Sequence, residues 1–111
     1  MSQTELDGKR SEHADFDLTV TDDSLLPWVH EGERIRVQRN TELFDGEVGL
    51  FETDAGLAFR QFCSDSRGAV YLFAVNRSYA ALDCVLSPEK ADDLICYGRA
   101  ALSMHIPLPT D

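Results

Sequence analysis

Residues 22–32 read Asp22-Asp23-Ser24-Leu25-Leu26-Pro27-Trp28-Val29-His30-Glu31-Gly32. Proline fixes its own φ and moves the residue before it out of the helical region, so this stretch predicts a bend that leads into the alternating run at residues 33–39. A hydroxyl at such a bend is either a nucleophile or an N-cap that accepts a hydrogen bond from a backbone N–H. Spacing alone favours the cap for Ser24, because no partner for a nucleophile is recognisable beside it.

Alternation of apolar and polar residues predicts strands along most of the chain on both sides of this bend. Asp45-Gly46 and residues 53–56 have the composition of turns, and Ser87-Pro88 predicts a capped helical turn. The predicted strands are residues 16–20, 34–38, 47–52, 57–62, 69–75, 82–86 and 94–106. The pattern indicates a mainly β, single β-rich domain over residues 14–111, preceded by a flexible tail or linker remnant at residues 1–13.

The charge of the chain limits what it can bind. Its 111 residues include 20 acidic residues against 10 lysines and arginines, a formal charge of −10. Contact with phosphates requires a basic surface, so a chain of this composition is a poor direct binder of DNA or RNA. No apolar run approaches the roughly 20 residues that span a bilayer, and no apolar signal segment follows the N-terminus. These features predict a cytoplasmic protein without a membrane partner.

Metal and cofactor chemistry has no support in the residues. The three histidines and three cysteines lack the spacing of metal ligands, and the cysteines fit reduced thiols. No phosphate-binding loop or dinucleotide fingerprint is present, so we predict neither a metal nor a cofactor. A triad of Ser24 with His30 or His105 and an aspartate stays open, since residue type alone supports it.

The order of the motifs resembles the C-terminal domain of the LexA, UmuD and phage-repressor family. Members of that family have a G-D-S-M-x-P bend, a D-G-D turn, a V-K-R strand and an N-P-x-Y turn. The corresponding segments here are Asp23-Ser24-Leu25-Leu26-Pro27, Asp45-Gly46-Glu47-Val48, Ala58-Phe59-Arg60-Gln61-Phe62, Val75-Asn76-Arg77-Ser78-Tyr79 and Tyr97-Gly98. The resemblance covers residues 14–106 and implies a partly barrel-like β domain of the LexA and signal-peptidase type.

Carried over by position, the resemblance places Ser24 at the nucleophile and Arg60 at the general-base lysine. A buried lysine can lose its proton and then accept one from serine, whereas arginine stays protonated under ordinary conditions. Asp22 replaces the usual glycine before the serine. Family members are cut at a small-residue–glycine bond upstream of the serine, but the only glycine there is Gly8, which follows Asp7. These departures imply a member without peptidase activity.

The resemblance therefore implies a non-catalytic regulatory or dimerisation domain of a transcriptional regulator, similar to a phage repressor. DNA would be reached only through an N-terminal helix-turn-helix domain, which we expect to be absent from this chain. Two alternatives stay open. One is an active self-cleaving serine peptidase of the same family that uses Ser24 with an unrecognised base. The other is a free-standing protein-interaction domain. A regulatory domain of this kind would leave room for a regulatory protein partner.

The segment at residues 94–106 alternates with period two and predicts a strand with two different faces. One face is apolar throughout. The other face is mixed and begins with Ile95, Tyr97, Arg99 and Ala101. An aromatic and an arginine among small apolar residues suit a protein interface. Because the strand comes last, we expect it at a sheet edge, where it would pair with a second copy in a homodimer. The alternative is a monomer whose edge is covered by residues 107–111.

Overall fold

The computed structural model describes residues 14–39 and 42–109, and most of its regular secondary structure is strand. The described strands are β1 (Phe16–Thr19), β2 (Arg34–Gln38), β3 (Val48–Thr53), β4 (Gly56–Ser64), β5 (Val70–Phe73), β6 (Cys84–Leu86) and β7 (Cys96–Ala101). A 3₁₀ helix (Arg77–Leu82) and a short helix α1 (Pro88–Ala91) complete the described elements. The predicted mainly β fold class is confirmed. The predicted tail at residues 1–13 lies outside the described residues.

The strands form one antiparallel sheet in the order β1-β2-β7-β3-β4-β5-β6. β3 and β4 are joined as a hairpin at the turn predicted for residues 53–56. Thr53 closes that turn, because its hydroxyl donates to the Gly56 carbonyl at 2.7 Å. Gly56 has a φ of +101°, which suits a residue without a Cβ. Ser87 caps α1 as predicted, since its side chain accepts a hydrogen bond from the Lys90 N–H.

The sheet buries apolar side chains on both of its faces. A first core cluster contains Val20, Leu25, Val29, Ile35, Val48, Val75, Ala100 and Ile106, and a second contains Phe51, Val70 and Leu72. On β4, Phe59 packs against the first cluster and Phe62 against the second. Residues three apart on a strand point to opposite faces, so the two clusters lie on opposite sides of the sheet. No helix among the described residues is long and apolar enough to cross a membrane.

The prediction for the last strand was wrong in its length and in its position. Residues 94–106 were expected to form one strand at a sheet edge, but β7 covers only Cys96–Ala101 and lies between β2 and β3. The chain then leaves the sheet, and the buried Gln61 side chain donates to the Ile106 carbonyl at 2.7 Å. Because β7 hydrogen-bonds to a neighbour on each side, it has no open edge for pairing with a second copy.

The backbones of β2 and β7 approach each other closely at Gly98. This glycine has a φ of +152°. A Cβ at position 98 would lie 2.6 Å from the Gln38 carbonyl oxygen and 2.7 Å from Cγ1 of Val37. Val37 is fully buried, so the space beside Gly98 is closed by the core as well as by the neighbouring strand.

Candidate functional site

The predicted bend at the serine is a series of tight turns anchored in the core. The Leu26 N–H donates to the Asp23 carbonyl at 3.2 Å, and the Val29 N–H donates to the Leu25 carbonyl at 3.0 Å. Leu25 is 0% exposed and, like Val29, belongs to the first core cluster. Burial of Leu25 therefore fixes the backbone on which Ser24, itself half-buried, is presented.

Asp22 contacts Ser24 directly. The Ser24 N–H donates to Oδ1 of Asp22 at 3.0 Å. Hydrogen bonds from the Ser24 side chain and from its N–H lower the pKa of the Asp22 carboxyl, and the charge of Arg60 lowers it further, against a smaller opposing effect of burial. A carboxylate whose pKa is lowered is a poor acceptor for the serine proton. Asp22 thus stabilises the turn through its contact with Ser24.

A second turn, Asn76–Tyr79, packs against the serine bend. The Asn76 N–H donates to the Ser24 carbonyl at 3.0 Å, and its side-chain amide donates to the Asp23 carbonyl at 2.8 Å. The Tyr79 hydroxyl donates to Oδ1 of Asp23 at 2.7 Å. Asn76 also caps the 3₁₀ helix, since its Oδ1 accepts from the Ser78 N–H at 2.9 Å. Two of the five motifs that carried the family resemblance are therefore joined in one structural unit.

An ion pair closes the loop that contains Tyr79. Arg77 binds both oxygens of Asp83, at 2.8 and 3.0 Å, and the Ala74 N–H donates to the same carboxylate at 2.7 Å. Burial raises the pKa of Asp83, but the hydrogen bonds from Arg77 and Ala74 together with nearby positive charge outweigh it, and the pKa lies below its usual value. These contacts with Asp83 hold the 3₁₀ helix, and with it Tyr79 and Leu82, beside the serine bend.

Arg60 lies on β4 opposite Gly49 and is half-buried. One guanidinium nitrogen donates to the Phe59 carbonyl at 2.9 Å. The charge of Arg60 also reaches Asp22 and Asp83, where it adds to the hydrogen bonds described above in lowering the pKa of each carboxyl. The guanidinium is thus a fixed positive charge close to the serine bend.

Ser24 and Arg60 line one pocket of about 560 Å³. The edge of β1, the serine bend, the first half of β4 and the 3₁₀ helix enclose it. Leu57 and Leu82 lie at its rim and are 57% and 54% exposed. Its polar lining includes Asp22, Asp23, Ser24, Arg60 and Tyr79. Among the described residues that line the pocket there is no lysine and no histidine.

The two histidines considered as partners of Ser24 lie elsewhere. His30 is exposed and its ring contacts Glu33 Oε2 at 3.3 Å. His105 lines a different pocket, of about 360 Å³, together with Glu47 and Arg99. The described residues also contain no group of three or more histidine, cysteine or acidic side chains that could hold a metal ion.

The residues predicted for an interface, Ile95 immediately before β7 and three residues on β7, differ in their exposure and contacts. Ile95 is 52% exposed, and Ala101 is exposed. The Tyr97 hydroxyl donates to Glu52 at 3.0 Å. Arg99 donates to the Gln38 side chain at 2.8 Å and to Glu47 at 3.2 Å, so it is held within the chain. These contacts were not predicted, because they join residues far apart in the sequence.

Comparison with known proteins gives one match. A family model described as Peptidase S24-like matches residues 2–100, a range that includes the serine bend and β4. None of the curated proteins and none of the solved structures compared with the chain matches it.

Proposed function

The chain belongs to the Peptidase S24-like family, and we propose that it is a non-catalytic, LexA-like regulatory domain of that family. The observation that carries this proposal is the position of Arg60 in the Ser24 pocket. The family uses a serine with a lysine base, and Arg60 stands at the position that corresponds to the lysine. Among the described residues that line the pocket, Ser24 is accompanied by an arginine and by no lysine that could activate it.

The chemistry of the pocket supports the proposal in two ways. A guanidinium has five N–H donors and no acceptor, so it cannot take the proton of the serine hydroxyl. The neighbouring carboxylate, Asp22, has a lowered pKa and is a weak base for the same reason. Without a base, a serine hydroxyl is a poor nucleophile at neutral pH. The pocket would then serve to bind a regulatory partner and not to cut a peptide bond.

The purified protein is expected to stay intact, because the described lining of the Ser24 pocket offers no lysine or histidine as a base. Intact mass measured by mass spectrometry should not change over several days at alkaline pH, conditions in which a serine–lysine member would cut itself. Ser24→Ala is the control for any background proteolysis. A fragment that forms from the wild type and not from Ser24→Ala would falsify the proposal.

We further propose that the domain forms a homodimer through the mixed face of β7, as predicted from its sequence. Since both edges of β7 are paired within the chain, the contact would be made by side chains and not by the backbone. Ile95 and Ala101 supply exposed apolar area beside the half-buried Tyr97, and the internally bonded Arg99 would lie at the polar rim. Interfaces of this kind bury apolar centres within a polar rim.

Tyr97→Asp is expected to convert the dimer to a monomer, because it places a charge at the centre of the proposed contact. Light scattering at micromolar concentration measures the change in mass. Val85→Asp is the matched control, since Val85 is 62% exposed but lies on β6 at the far edge of the sheet. A monomeric wild type would refute the dimer, and dissociation by Val85→Asp alone would move the interface to that edge.

In a transcriptional regulator this domain would act in the cytoplasm and would not touch DNA itself, because its formal charge is −10. DNA binding would belong to a helix-turn-helix domain that residues 1–111 do not include. A regulatory protein partner would approach the Ser24 pocket, where Leu57 and Leu82 are exposed.

A further inference from the structure

Asp22 occupies the backbone N–H that Ser24 would use in a reaction. The Ser24 N–H donates to Oδ1 of Asp22 at 3.0 Å. Asp22 and Ser24 line one pocket with Arg60, so both residues of this contact reach the pocket.

In a serine enzyme, the backbone N–H of the nucleophile has a role in the reaction. When a serine oxygen attacks a carbonyl, the C=O electron pair moves to the oxygen, and backbone N–H groups stabilise the oxyanion. The N–H of the nucleophile itself is one of the usual donors. A carboxylate is a strong acceptor that competes for this donor, and its negative charge would also repel the oxyanion.

We infer that Asp22 blocks the serine site independently of Arg60, by holding the Ser24 N–H in the place where an oxyanion would bind. This inference rests on the proposed non-catalytic function and deepens it. Arg60 cannot accept the proton of the serine hydroxyl, and Asp22 occupies the N–H that would stabilise the oxyanion. Restoring the base alone, by Arg60→Lys, therefore leaves Ser24 poorly reactive.

Asp23 provides a matched control for this contact. It is the adjacent residue, carries the same charge and lines the same pocket. Its carboxylate, however, accepts from the Tyr79 hydroxyl at 2.7 Å and not from the Ser24 N–H. Substituting Asp23 changes the charge of the pocket as much as substituting Asp22 does, but leaves the donor of Ser24 occupied.

The experiment is labelling of Ser24 by a fluorophosphonate probe, followed by mass spectrometry. The Ser24 oxygen forms a bond to phosphorus, the P–F bond breaks, fluoride leaves, and the hydroxyl proton passes to the amine introduced by Arg60→Lys. The phosphonyl oxygen takes the position of the oxyanion. The proteins compared are the wild type, Arg60→Lys, Arg60→Lys with Asp22→Ala, and Arg60→Lys with Asp23→Ala.

We expect the variant with Asp22→Ala to be labelled roughly 100-fold faster than Arg60→Lys alone, the size of effect that one oxyanion donor has in serine enzymes. The variant with Asp23→Ala should react at the rate of Arg60→Lys. Labelling should disappear when Ser24→Ala is added. Circular dichroism confirms that each variant is folded.

Each contrary result has a separate meaning. Equal labelling of Arg60→Lys with and without Asp22→Ala, or no labelling of the variant with Asp22→Ala, overturns the inference and leaves the proposed function standing. Equal acceleration by Asp23→Ala also overturns it, because charge alone would then be responsible. Labelling of the wild type would instead overturn the proposed function.

The contact can also be tested in the unmodified protein by NMR. The amide resonance of Ser24 is expected to move upfield as acid protonates Asp22, and this response should persist in Asp23→Ala and vanish in Asp22→Ala. A Ser24 amide that does not respond to acid would show that the N–H is free, which overturns the inference without any enzymatic readout.

Discussion

Gly98→Ala is expected to lower the free energy of unfolding by about 4 kcal/mol, the sum of a strained backbone and an overpacked core. The φ of +152° at this position is one that residues with a Cβ rarely adopt. The new methyl group would also lie 2.6 Å from the Gln38 carbonyl oxygen. That oxygen belongs to the backbone of β2, and the nearby Val37 is fully buried, so neither neighbour can move aside cheaply.

Gly56→Ala is the matched control for the backbone contribution. Gly56 has a φ of +101°, but no atom lies within 4 Å of the Cβ that alanine would add. This substitution is expected to cost about 1 kcal/mol, the conformational part alone. Urea unfolding followed by the fluorescence of the single tryptophan, Trp28, measures both values. Equal losses for the two variants would show that β2 and β7 are not in close contact at Gly98.

Leu25→Ala is expected to lower the free energy of unfolding by about 3 kcal/mol, within the range for deleting a fully buried leucine side chain. Leu25 is 0% exposed and packs in the first core cluster directly beneath the serine bend. The cavity would remove the anchor of the turn that holds Ser24. The Ser24 pocket is therefore expected to become mobile at the same time, which amide hydrogen exchange at residues 22–29 can detect.

Leu57→Ala is the control for this second prediction. Leu57 lies at the rim of the same pocket but is 57% exposed, so its truncation is expected to change the stability by less than about 0.5 kcal/mol. A loss for Leu25→Ala as small as that for Leu57→Ala would mean that the serine bend is not held by the core.

Local structure could be predicted from the sequence wherever neighbouring residues determine it. The hairpin turn at Gly56 and the cap at Ser87 depend on residues within a few positions, and both were predicted. The alternation along β7 held only in part, since Gly98 and Ala100 of its apolar face are buried and Ala101 is exposed, but Cys96 of the apolar face is also exposed, beside an irregularity in the pairing with β3. Period-two patterns report faces, because successive side chains point to opposite sides of a strand.

The same pattern carries no information about which strands are neighbours. β7 pairs with β2 and β3, and these pairings depend on contacts between residues far apart in the chain. The contact of Asn76 with Asp23 spans 53 residues and was hidden for the same reason. Proximity of Ser24 and Arg60 could be expected only from the family resemblance. The bond between the Ser24 N–H and Asp22 was not predicted, although it is local and aspartate commonly accepts from the N–H two residues on.

The central place of β7 has a consequence for how the protein is made. β1 and β2 form one pair, and β3 to β6 form a separate antiparallel series. Until Cys96–Ala101 leaves the ribosome, these two halves lack the strand that joins them, and each exposes an unpaired edge. Until that strand has emerged, the two unpaired edges can pair with other chains, so the half-made sheet is the state most open to aggregation.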